Sequence, residues 1–164
     1  VTATLTLPSS TGTLLSTANP QSGGVIQVVQ ATYSTSTAFS STSYATTGIA
    51  ASITPKFSTS KILVIATAGG LYTSGPSTQA NFYVRRGDGT FVGVIMDAMQ
   101  LYATGVTTFR IPTCTMTKLD SPGTTSTVTY KIVMNRRTGS GQVGVNSYGS
   151  TAPSSGFTLM EIAG

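Results

Sequence analysis

From Val25 to the end of the chain, apolar and polar positions alternate mostly in steps of two, the period of a pleated strand. "VIQVVQATY" (25–33) predicts a strand with partly mixed faces. Ile49, Ala51 and Ile53 alternate up to Pro55, which ends their strand. "KILVIATAGG" (61–70) is apolar on both faces, as a central buried strand requires. Phe82 and Val84 alternate with Asn81, Tyr83 and Arg85, and Phe109 and Ile111 with Thr108 and Arg110. The cleanest alternation is Val128, Tyr130, Ile132 and Met134 against Thr129, Lys131 and Val133. "FVGVIM" (91–96), Val143 with Val145, and "GFTLMEIAG" (156–164) complete the set. The breaks between them are polar: 34–43 reads as a loop, 73–79 as a turn, 138–144 as a glycine loop. Gly87-Asp88-Gly89 between two β-rich runs is a hairpin signal. One stretch, 94–103, is a weak helix candidate. Short strands with turns at intervals of about 8–12 residues predict an all-β antiparallel sandwich of the jelly-roll type.

Residues 1–24 break this pattern. "ATLTL" alternates briefly, then Pro8, Gly12, Pro20 and Gly23-Gly24 interrupt. The expectation is an extended arm over 1–24 and a sandwich domain over 25–164. The first residue is Val, which leaves room for a longer parent chain. No charged and apolar leader opens the sequence, so no signal peptide is expected.

Composition sharpens the picture in two ways. Charged residues are 8% of the chain, against about 25% in typical domains, and roughly a third of the residues are Ser or Thr. Low charge removes a common defence against edge-to-edge strand pairing, so the sheets must close or be covered in an oligomer. The net charge of +5 arises because nine bases face only four acids. Arg85-Arg86 and Arg136-Arg137 are the only basic pairs, and without a basic run no nucleic-acid partner is expected. One cysteine, Cys114, excludes an intrachain disulfide. No stretch of about 18 apolar residues exists, so membrane insertion is not expected.

Candidate chemistry is sparse. The chain has no histidine, the commonest general base and metal ligand. A hydrolase would need Asp88, Asp97, Asp120 and Glu161 to converge in space. One Cys and no His cannot build a zinc site, and no cofactor is expected. Ser58-Thr59-Ser60-Lys61 matches S-x-x-K but leads into a strand, with no companion motifs. Arg86-Gly87-Asp88 spells a known integrin tripeptide, but the preferred reading is that a tight hairpin needs the Gly87-Asp88-Gly89 it overlaps. Tyr72, Tyr102 and Tyr148 lie in or beside loop-like stretches, where a tyrosine can stack on a sugar, anchor a partner or cap a core. Arg136 and Arg137 precede a glycine loop and are candidate contacts to an anionic polymer or solvated loop-edge residues. No N-x-S/T sequon is present.

The phrases "GGVIQVVQATYSTST" (23–37), "TSYATTGIAASITPKFSTSKILVIATAGG" (42–70), "TVTYKIVMNRR" (127–137) and "FTLMEIAG" (157–164) resemble a family of structural proteins from bacteriophages of cyanobacteria and marine bacteria. The resemblance implies a module on the virion exterior, in a capsid decoration, head fibre or tail fibre. The layout is also similar to the trimeric jelly rolls of the complement globular-head and tumour-necrosis-factor group. That similarity implies a homotrimer with the last strand near its axis and Phe157, Leu159 or Met160 facing neighbours. Residues 1–24 would clip the module to other virion proteins. A host-receptor or glycan-binding adhesin head of the same fold is the alternative, with host surface polysaccharide as its partner.

Overall fold

Residues 20–100, 108–147 and 155–164 are described in the computed structural model. The period-two segments form strands, in chain order β1 (Val25–Tyr33), β2 (Thr37–Phe39), β3 (Ala45–Ile53), β4 (Lys61–Ser74), β5 (Gln79–Arg86), β6 (Phe91–Gln100), β7 (Thr108–Asp120), β8 (Val128–Thr138), β9 (Val143–Val145) and β10 (Ser155–Ile162). Among the described residues there is no helix, and so none long enough to cross a membrane.

The strands build an antiparallel β-sandwich. The first sheet runs β1-β10-β4-β7, and the short β9 and β2 continue it beside the far end of β4. The second sheet runs β3-β8-β5-β6. β4 is central because its sequence is apolar on both faces. It pairs with β7 along nearly its whole length and with β10 and then β9 along its other edge. The side chains of Phe82, Tyr130, Ile132 and Met134 from one sheet meet Ile62, Val64, Phe157 and Leu159 from the other, all essentially fully buried. Burying each such side chain contributes about 1.5–3 kcal/mol before ordering costs.

The structure differs from the sequence reading in three elements. The polar stretch 34–43 contains β2, which pairs with β9 although it holds only Thr37, Ala38 and Phe39. The described part of 94–103 is strand, with a positive φ at Ala98 where β6 bulges against β5. β7 is 13 residues long and runs through Pro112. It pairs only with β4, and an edge strand tolerates a residue without an amide hydrogen.

Two polar knots fasten one end of the sandwich, on either side of Ile62, which pairs with Glu161 on β10 and with Asp120 on β7. Glu161 on β10 is fully buried and accepts hydrogen bonds from Gln27 Nε2 at 2.6 Å and from the backbone N–H of Lys56 at 2.7 Å and Phe57 at 3.3 Å. It thereby holds the β3–β4 turn to the last strand. Burial pushes its pKa up, but these donors outweigh burial and hold it below the usual carboxylate range. Asp120, ending β7, accepts a two-point contact from Arg86 at 2.8 and 2.6 Å and a hydrogen bond from Tyr130 Oη at 2.7 Å. Here too burial acts upward, and the Arg86 and Tyr130 donors prevail. The knot joins the two sheets.

Candidate functional site: the two outer faces of the sandwich

Side chains directly opposite one another in antiparallel pairs share a face. On the first sheet, Val28 lies opposite Met160, Met160 opposite Leu63, and Leu63 opposite Leu119. These four alternate with core-facing neighbours, so they form an apolar row across the outside of four strands. Val28 is 55% exposed and Leu119 45%. The next rows are Gln30, Thr158, Ile65 and Thr117, then Thr32, Gly156, Thr67 and Thr115. None of these three rows of four carries a charge. Gly156 leaves a shallow open groove between Thr32 and Thr67, and a side chain there would collide with the Ala31 carbonyl.

The outer face of the second sheet has another chemistry. Tyr44, Tyr83 and Phe91 form a chain of rings, with centroids 5.6 and 5.7 Å apart. Tyr44 is 45% exposed and Phe91 53%. The Arg85 guanidinium carbon stands 4.6 Å from the centroid of the Tyr44 ring, a cation–π contact. Tyr83 Oη donates to Asp97 Oδ1 at 2.8 Å, and Arg137 Nη1 approaches the same oxygen at 3.7 Å. Burial, then the bond to Asp97, pushes the Tyr83 pKa up. Lys131 lies directly opposite Arg85.

The residues singled out in the sequence are scattered over this frame. Tyr72 lies on β4 opposite Arg110, with its ring against Gly144; burial pushes its pKa up, and Arg110 counters this. Arg136 is a loop tie, donating from Nη1 to the Gly141 carbonyl at 3.1 Å. Arg137 joins the aromatic face through Asp97. Tyr102 and Tyr148 lie outside the described residues, as do residues 1–19 of the expected arm. Residues 23–24 are tied to Ala163 by two backbone hydrogen bonds. Phe157 and Leu159 point between the sheets, so of the three expected interface residues only Met160 occupies the outer face.

The four acids have separate partners. Asp88 accepts from its own hairpin at Thr90 N–H, Asp97 from Tyr83, Asp120 from Arg86 and Tyr130, and Glu161 from Gln27 and the β3–β4 turn. Among the described residues no group of three or more Cys, Asp or Glu side chains could hold a metal ion. The Arg86-Gly87-Asp88 tripeptide forms the β5–β6 hairpin, with Gly89 at φ +92°, and its arginine is engaged by Asp120. Cys114 is a free thiol on β7, and burial raises its pKa. Sequence reading missed Tyr44, Tyr83 and Phe91 as a set. The signal within one strand was present, since Tyr83 and Arg85 alternate with the buried Phe82 and Val84.

No protein-family model matches the chain, and no curated protein matches it. Among solved structures, the infectious bursal disease virus VP2 subviral particle is similar, with 14% identity and a TM-score of 0.43 over 88% of this chain and 39% of that one. Infectious bursal disease virus of the Gx strain gives 18% identity and a TM-score of 0.35 over 98% of this chain and 42% of that one. The Gt strain gives 17% and 0.35 over 100% and 43%. The chain thus spans about two fifths of the length of these structures' chains.

Proposed function

We infer that the protein is a non-enzymatic structural module of a bacteriophage virion that assembles with copies of itself, as a homotrimer, through the outer face of the β1-β10-β4-β7 sheet. The observation that carries the reading is the row Val28, Met160, Leu63 and Leu119, an uncharged apolar band across four strands with two members about half exposed. Such a band loses its contact with water when a second copy covers it. The phrase-level resemblance to phage structural proteins supports the virion role. The strand order supports a jelly roll, because apart from the β5–β6 hairpin the neighbours along β1-β10-β4-β7 and β3-β8-β5-β6 are distant in the chain, and the last strand lies beside the first. Placement on the virion exterior and attachment of the arm to other virion proteins belong to the same proposal.

Light scattering over a range of concentrations tests it. The expected result is a trimer whose association Leu119→Asp weakens by about tenfold or more without unfolding the chain. A wild-type chain that stays monomeric at every concentration overturns self-assembly.

A further inference from the structure

We propose that the outer face of the β3-β8-β5-β6 sheet binds an acidic polysaccharide on the platform formed by Tyr44, Tyr83 and Phe91. The site stands on its own geometry and does not depend on how copies assemble.

Three observations carry it. First, two of the rings are about half exposed, yet the set is held in place: Tyr83 belongs to a central strand, is bonded to Asp97 and contacts both other rings. Rigid rings on strands lose little freedom when a ligand docks. Second, the rings present tilted and edge-on planes, at 47° and 77°, so the surface is stepped. A stepped set of apolar plates matches a chain of sugar rings, which offer C–H faces between rims of hydroxyl groups. Third, the polar groups around the rings are mixed. Arg85 stands over the Tyr44 ring and directly opposite Lys131, and Arg137 approaches Asp97; with Asp88 on the adjoining hairpin, three bases stand beside two acids, so the local balance favours an anionic ligand. Asp97, half exposed, can accept hydrogen bonds from sugar hydroxyls, which a uronic-acid polymer offers on every ring and a deoxyribose–phosphate chain does not. That difference favours a uronic-acid polymer over single-stranded nucleic acid, which also stacks on aromatic rings beside basic groups.

The test is titration of the purified chain with oligogalacturonate and oligo-alginate, followed by tyrosine fluorescence, since the chain has seven Tyr and no Trp. A neutral dextran oligosaccharide and a single-stranded oligodeoxythymidylate serve as comparisons. The expected result is saturable binding of an acidic oligosaccharide, weakened about tenfold or more by Tyr44→Ala and by Phe91→Ala. Both residues are exposed, so these variants fold. Thr113→Ala, exposed on β7 outside the rows of the assembly face, leaves the affinity unchanged. Absence of saturable binding to both acidic oligosaccharides overturns the proposal, as does equal or tighter binding of dextran or of the oligodeoxythymidylate. Loss of self-association on Tyr44→Ala overturns it in favour of a contact between copies. Failure of the assembly reading shows in native mass alone, so the two outcomes are distinguishable.

Discussion

The two outer faces share one core and differ in almost everything else. On the β1-β10-β4-β7 face the exposed groups are aliphatic chains, methionine and threonine, with no charge in three successive rows. On the β3-β8-β5-β6 face they are aromatic rings framed by Arg85, Lys131, Asp97 and Arg137. The large hydrophobic residues exposed among the described residues divide between the two: Val25, Val28 and Leu119 on the first, Tyr44, Phe91 and Val94 on the second. Aliphatic surface has no orientation to impose and suits permanent burial against a like surface. Rings with flanking charges impose direction and suit a ligand that comes and goes.

The largest expected effect removes the foundation of both faces. Phe82 is fully buried beneath them, and Phe82→Ala should cost about 3–5 kcal/mol, read by urea unfolding. If both faces depend on one sandwich, assembly and ligand binding are lost together. Next is Glu161→Ala, which leaves the Gln27, Lys56 and Phe57 donors without their acceptor and should cost about 3 kcal/mol.

The same knots set an acid limit. Glu161 and Asp120 have native pKa values below their ordinary 4.5 and 3.8. Their contribution to stability is therefore complete above those ordinary values. It is lost as pH falls through them toward the lower native values. Unfolding midpoints in urea should drop as pH falls below about 4.5, and Glu161→Gln should flatten part of that slope.

Smaller effects separate the faces. Leu119→Asp should weaken self-association about tenfold or more, near 1.4 kcal/mol, while changing monomer stability little. Sulfate should strengthen that association, whereas sodium chloride should weaken ligand binding on the charged aromatic face. Opposite salt responses would confirm that the faces work by different physics; parallel responses would collapse the distinction. The smallest effect is Phe91→Ser on stability, within about 0.5 kcal/mol, because its ring is half exposed.

Much of the architecture was legible because strand periodicity is local. Tyr130, Ile132 and Met134 are buried as their alternation predicts, and "KILVIATAGG" is central because it is apolar on both sides. β7 was mostly illegible, since Pro112 and its Thr and Lys residues look like loop until an edge position explains them. The last strand was half legible. Alternation divides Phe157, Leu159 and Glu161 from Thr158, Met160 and Ile162, but it does not say which set is inside. The similarity to trimeric jelly rolls implied Phe157, Leu159 or Met160 facing a neighbour, and the fold buries Phe157 and Leu159 against its own second sheet.

By itself, then, the sequence determined the strand class, the sandwich and the scarcity of catalytic groups, since each follows from residue types and their spacing along a few neighbours. Only the tertiary structure decided which row meets solvent, where Glu161 is buried, and that Tyr44, Tyr83 and Phe91 stand together. Those three rings come from separate segments of the chain. Their contact depends on the pairing of β5 with β6 and β8 and of β8 with β3, and long-range register is not written in any one segment.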